Sequence, residues 1–197
     1  MPRVSREQTE KNRTAIEAAA SRLFREQGFR AVSVADLMAS AGLTHGGFYG
    51  HFDSKEALVT HTCRQVFEQS QQSWDRRVAT FDDPRAARAA IVDNYLAPAS
   101  VAAPGTACPA TALAGDVARA PADTGVREAY LSGVNGLIDT LTALSPAPEA
   151  GARRRQALAE MAAMVGAVTL ARATQGQPIA DEILAAVRHL LLDDKTA

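Results

Sequence analysis

Apolar side chains return along most of this chain at intervals of three and four, the spacing of one face of an α-helix. Between Lys11 and Gln27 the series is Ile16, Ala19, Ala20, Leu23 and Phe24, and Gly28 stands where a helix C-terminus takes a glycine. The next segment, Val32-Ser33-Val34-Ala35-Asp36-Leu37, reads as a helix start. Ser33 is the N-cap, Asp36 completes a capping box in place of the usual Glu or Gln, and Val32 and Leu37 close over it as a hydrophobic staple. Gly42 limits this helix to about Ala41. A third short segment begins at Leu43-Thr44 with Thr44 as its cap. Gly46, Gly47 and Gly50 make it a poor helix, each at up to about 1 kcal/mol relative to Ala, so Phe48 and Phe52 must hold it by packing. Asp53 and Glu56 then form a capping pair for a long helix through Leu58, Val59, Val66 and Phe67 toward Trp74 and Val78.

Downstream, Asp82-Asp83-Pro84 opens a helix toward Leu96, since Pro suits a first turn. Pro98–Pro109, with Pro104-Gly105 inside it, reads as a loop. Further helices are expected from about Pro109 to Arg119, and from Asp123 through Tyr130 and Leu137 to Leu144. Two more cover about Ala152–Thr174 and Ile179–Leu192, separated by Gln175-Gly176-Gln177-Pro178. No stretch alternates apolar and polar residues as a half-buried strand does. The expectation is an all-α chain of about nine helices.

Composition narrows the class. At 197 residues the chain has the length of one domain, or of two small ones sharing a surface. Hydrophobic residues at 47% and charged residues at 22% exclude a disordered chain. A net charge of -1 gives no global field toward nucleic acid or membrane, so any such attraction must come from local placement. Residues 1–13 hold Arg3, Arg6, Lys11 and Arg13 against Glu7 and Glu10, a basic tip. Phe24, Phe29, Phe48, Tyr49 and Phe52 give the first 60 residues a small aromatic core of their own. The longest apolar run, Met161–Ala171, falls short of the roughly 18 residues a membrane span needs. The polar N-terminus has no signal core, which points to a cytoplasmic protein. Two cysteines, Cys63 and Cys108, are too few for a disulfide framework or a multi-thiolate metal site.

The informative stretch is residues 33–56: two short helices about Ala41-Gly42-Leu43, then aromatics, two histidines and a capped helix. A helix-turn-helix holds its second helix rigidly against its first and projects it into the major groove. Small residues at the start of that second helix admit close backbone approach, and its first amides suit phosphate. The run VSVADLMASAGLTHGGFYGHFDSKEAL, Val32 to Leu58, resembles the DNA-binding region of TetR/AcrR-family transcriptional regulators. The resemblance covers about residues 10–60 and implies a homodimer. Its DNA-binding domain would occupy residues 1–53, with the helix-turn-helix at about 33–52. A ligand-binding and dimerisation domain would occupy 54–197. Position by position, it places Ser33 at a phosphate contact at the start of the supporting helix. Thr44, His45, Gly46 and Gly47 fall at the exposed start of the recognition helix, Tyr49 and His51 at contacts to phosphate or base, and Lys55 at a phosphate contact. Phe48 and Phe52 fall in the core. Gly47 and Gly50 depart from many relatives, which carry larger residues there, and this concentrates direct readout on Thr44, His45 and Tyr49.

For the second domain the resemblance implies a cavity that admits a small-molecule or electrophile inducer and releases operator DNA. Trp74, Tyr95 and Tyr130 are candidate walls, each a large face with a polar handle, although for any one of them plain core is the commoner role. Cys108 precedes the helix at Pro109, whose N-terminal field favours a thiolate; its alternative is a small buried hydrophobe. Dimerisation is expected from stripes in the last two helices, Leu158, Met161, Ala162, Val165, Val168 and Thr169, then Ile179, Ile183, Leu184, Val187, Leu190 and Leu191. The rival role of both stripes is the protomer's own core. His45 with His51, and His61 with Cys63, are not spaced as two ligands on one helical face. No metal or cofactor is expected. A thiol-dependent enzyme using Cys108 lacks an assignable histidine partner, and a plain helical interaction module has no need of the Thr44–Gly47 segment.

Overall fold

The computed structural model describes residues 6–192, and among these every regular element is helical. Arg3 of the basic tip lies outside the described residues. The order is α1 (Arg6–Gln27), α2 (Val34–Ser40), a 3-10 segment (His45–Gly50), α3 (Lys55–Val78), α4 (Pro84–Tyr95), α5 (Pro98–Ala102) and a 3-10 turn (Pro104–Thr106). It continues with α6 (Pro109–Ala118), α7 (Gly125–Leu144), α8 (Ala150–Ala173) and α9 (Pro178–Leu192). The near-agreement with about nine expected helices conceals two offsetting differences. The third segment is 3-10 rather than α, and a short helix occupies part of the expected 98–109 loop.

α1, α2 and the 3-10 segment form the N-terminal head. Gly28 and Gly42, at φ 81 and φ 70, end α1 and turn the chain after α2 in a left-handed conformation that suits only glycine well. The capping box is complete: the Ser33 hydroxyl accepts from the Asp36 amide at 3.1 Å, and the Asp36 carboxylate accepts from the Ser33 amide at 2.8 Å. Val32 and Leu37, the staple pair, are both buried. Two other caps differ from expectation. Thr44 precedes the 3-10 segment in extended conformation, but its side chain makes no capping bond. The long helix α3 is capped by Ser54, whose hydroxyl accepts from the Ala57 amide at 3.0 Å, and not by Asp53. Asp and Ser are equally good caps, and the backbone turns helical one residue later than the pairing of Asp53 with Glu56 requires.

α3 runs from the head into the body, where it lies along α7. Small residues on α7 make this approach possible: a Cβ at Gly133 would stand 2.1 Å from Cγ of the Phe67 ring. Gly133→Ala should therefore lose about 1–3 kcal/mol by overpacking, read as a lowered urea midpoint; an unchanged midpoint would mean that Phe67 moves aside freely.

Head and body meet a second time at α6. The buried Asp116 accepts from the Arg30 amide at 3.3 Å and from Arg119 at 2.6 Å, while a Cβ at Gly28 would stand 2.5 Å from its carboxylate. Farther along, Arg88 of α4 grips Glu160 of α8 with two nitrogens, the shortest contact 2.6 Å, and also donates to the Leu191 carbonyl of α9. Of the expected stripes, Met161, Val168 and Leu184 lie in the protomer's own core, whereas Leu158, Ala162, Thr169, Ile179 and Leu190 face outward.

Candidate functional site

The 3-10 segment is fixed from beneath and left open above. Phe48 is fully buried and Phe52 nearly so, with their ring centroids 5.9 Å apart. Arg13 of α1 stacks over Phe52 at 4.4 Å and donates to the His51 carbonyl at 2.8 Å, clamping the end of the segment to α1. Its other contact is Glu17, and Lys11 is paired with Glu7, so these two side chains of the basic tip have local partners.

Above this base, Thr44, His45, Gly46, Tyr49 and Gly50 are exposed, and Gly47, His51 and Lys55 are half-buried. Tyr49 is 66% exposed yet oriented, its ring edge-on to Phe48 with centroids 5.3 Å apart. Because Thr44 is not spent on a cap, its hydroxyl is available to an outside partner. Ser33 is exposed but engaged: its hydroxyl donates to Asp36 at 2.6 Å, and the bonds from Ser33 hold that carboxyl below its ordinary pKa. A phosphate at Ser33 would have to displace this bond beside an ionised carboxylate, so the structural part of Ser33 is to start α2. The glycines are telling. A Cβ at Gly46 or Gly50 would meet nothing within 4 Å, at Gly47 it would touch the end of Met38 at 3.5 Å, and none of the three has positive φ. Neither packing nor backbone conformation in the folded chain calls for glycine there.

In the body, a cavity of about 350 Å³ brings together Trp74, Tyr95 and Cys108 with Arg25 of α1. Trp74 and Tyr95 meet edge to face, centroids 6.4 Å apart, and the Tyr95 hydroxyl is 2.8 Å from that of Thr111. Tyr130 does not line this cavity. It packs edge-on against Phe67 and donates to the Ala110 carbonyl at 2.7 Å, bracing α6 from behind. Arg25 carried no sequence signal, because it reaches the cavity through a bond to Ala107, 82 positions away.

Burial raises the Cys108 pKa, outweighing the Tyr95 hydroxyl, the first α6 amides and Arg172, all of which favour the thiolate. Cys63, buried within α3, is pushed up to about 12. Both thiols should therefore react with iodoacetamide at neutral pH more slowly in the folded protein than in urea, and faster as pH rises and thiolate forms. Faster labelling of Cys108 in the folded chain would contradict this environment. Among the described residues, no group of three or more His, Cys, Asp or Glu is placed to hold a metal ion.

Comparison with known proteins bears on the same segment. The profile of the family described as bacterial regulatory proteins, tetR family, matches residues 16–62. The HTH-type transcriptional repressor KstR2 of Rhodococcus jostii is 38% identical over 80 residues, 41% of this chain and 39% of that protein. The chain thus aligns with about two-fifths of that curated relative's length. A TetR-family transcriptional regulator from Agrobacterium tumefaciens superposes with a TM-score of 0.80 at 22% identity, over 96% of this chain and 100% of that one. The transcriptional regulator FadR of Bacillus subtilis, solved with stearoyl-CoA, gives 0.68 at 13% identity, over 91% and 97%. At such identities the solved structures establish the fold, while the family profile falls on the head and the first turns of α3. With capped helices, glycine turn and profile in agreement, residues 16–62 are similar to the tetR family of bacterial regulatory proteins, and the fold is one that a TetR-family regulator shares.

Proposed function

We propose that this protein is a sequence-specific, DNA-binding transcriptional regulator, a homodimeric repressor released from its operator by a small molecule. The observation that carries this reading is the outward 3-10 segment, whose glycines have no role in the fold and leave its backbone open to a close partner. Thr44, His45 and Tyr49 would reach base edges, Gly46 and Gly47 would admit the DNA backbone, and His51 and Lys55 would meet phosphates. Ser33 would hold the supporting helix in register. Residues 1–53 act as the reading head and 54–197 as the sensing and dimerising body. The outward Leu158, Ile179 and Leu190 of α8 and α9 support dimerisation through that face. Two heads would then enter successive major grooves roughly 34–36 Å apart.

The cavity beside Trp74, Tyr95 and Cys108 supports a ligand-controlled regulator, as does the ligand in the FadR neighbour. The raised Cys108 pKa favours reversible binding over electrophile capture. Family and fold are those of a regulator rather than an enzyme. No described helix is long and apolar enough to cross a membrane, and a DNA target places the protein in the cytoplasm. The test is a mobility shift with DNA flanking the gene for this chain, repeated across salt concentrations. Lys55→Ala should weaken binding to all sequences and reduce the salt slope by about one counterion. An unchanged slope would remove Lys55 from the interface, and absence of any specific complex would overturn the function.

A further inference from the structure

The cavity at the joint between head and body is polar and one-sided in charge. Its wall includes Arg25, Ser73, Trp74, Tyr95, Thr106 and Thr111, and among its lining residues there is no carboxylate. Arg25 is half-buried and bonds only neutral oxygens: the Ser21 carbonyl at 2.8 Å, the Ser21 hydroxyl at 2.9 Å and the Ala107 carbonyl at 3.3 Å. The neighbouring Glu26 is taken by Arg22 at 3.0 Å. A second half-buried guanidinium, Arg172, lies in the adjoining hollow and bonds the Ser100 carbonyl at 3.2 and 2.7 Å; the carboxylates of that hollow, Glu26 and Asp116, are paired with Arg22 and Arg119. α6 adds to the positive potential, since its N-terminus has no side-chain cap and presents Thr111 to the cavity. Burial disfavours the Arg25 cation, and the neighbouring Glu26 offsets this only in part, so a guanidinium with no carboxylate bonded to it stands at the wall of an open space.

We propose that this cavity binds a small organic carboxylate, ion-paired to Arg25 and walled by Trp74 and Tyr95. At about 350 Å³ it lies at the small end of the roughly 300–1,000 Å³ range of ligand pockets, room for one ring or a short chain. The same pairing explains how such a ligand acts on the head. Arg25 belongs to α1, and its bond to Ala107 fastens the head to the turn before α6; a bound carboxylate competes for that guanidinium and loosens the joint. This second step rests on the regulator reading above, whereas the binding step does not.

Trp74 is the sole tryptophan and lines the cavity, so its fluorescence reports occupancy without DNA. The full chain is titrated with sodium acetate, benzoate and hexanoate at constant ionic strength, with benzamide as the neutral counterpart of benzoate. At least one carboxylate should saturate the signal at millimolar concentration or below, with benzamide about tenfold weaker or worse. Arg25→Gln should lose about tenfold or more and Arg25→Lys less, while Ser73→Leu, which fills the cavity without touching Arg25, should abolish the response. Should Arg25→Gln fail to fold, by circular dichroism, the Lys and Ser73 variants decide. No saturation by any of the three acids, equal binding of benzamide, or an unaltered Ser73→Leu titration would overturn the proposal. A parallel mobility shift separates the two claims: carboxylate binding that leaves the DNA complex intact upholds the site and counts against its coupling to the head.

Discussion

Replacing Arg88 by Ala is expected to cost about 3–5 kcal/mol, a large part of the roughly 5–15 kcal/mol that holds a domain folded. Glu160 is 3% exposed and its two carboxylate oxygens accept from Arg88, so truncation strands an ionised group in the core. The same guanidinium caps the Leu191 carbonyl, so α4, α8 and α9 lose their common tie. Urea unfolding at several protein concentrations measures the loss. Arg88→Lys should fall between, because an ammonium keeps the charge but not the two-pronged geometry. Arg88→Met with Glu160→Leu should recover most of the stability, since the penalty lies in the stranded charge rather than in the absence of the pair. If the single and double variants are equally unstable, the pair acts through packing alone. The exposed apolar face of α8 and α9 lies on helices this pair joins, so if the proposed dimer forms through that face, its affinity should fall with stability in Arg88→Ala and return in the double variant.

The second large effect has opposite signs in two assays. Gly46→Ala with Gly50→Ala should stabilise the fold, by about 0.5–1 kcal/mol at each position, because each Cβ enters open space and the unfolded chain loses freedom. If the proposed interface is right, the same variant should bind DNA about tenfold more weakly or worse, because two methyl groups would stand where the proposal brings the backbone against the duplex. Thermal melting and fluorescence anisotropy on one preparation read both. A variant that gains stability and keeps full DNA affinity would remove the reason offered for these glycines. One that loses stability would show that the fold needs them after all.

Much of the head was legible because its determinants are local. The Ser33–Asp36 box, the Gly28 and Gly42 turns and the buried Phe48–Phe52 pair each depend on residues within four positions. The same locality explains the errors. Asp53 and Ser54 are adjacent and equally able to cap, and only the backbone turn chooses between them. The 45–50 segment is tightened to 3-10 by bonds of the Gly47 amide to the Thr44 carbonyl and the His51 amide to the Phe48 carbonyl, which apolar spacing does not distinguish from an α-turn. α5 was invisible between its prolines because it is held from outside, by burial of Val101 and by Arg172 on the Ser100 carbonyl. The cavity shows the limit most clearly. Trp74, Tyr95 and Cys108 stood out by residue type, but Arg25 reads in sequence as one more charge on a solvated helix face. Tyr130 has the same chemistry as Tyr95 but is turned to the Ala110 carbonyl and the Phe67 ring, contacts its residue type does not reveal.

The central claim is that residues 44–51 enter DNA, two copies at a time. Hydroxyl-radical footprinting of the full chain on its own upstream DNA tests this most directly. The account predicts protection at two sites about one helical turn apart, roughly 34–36 Å, lost on both sides in Tyr49→Ala under conditions where that variant remains folded. A single protected site, or a two-site footprint indifferent to Tyr49, would contradict it.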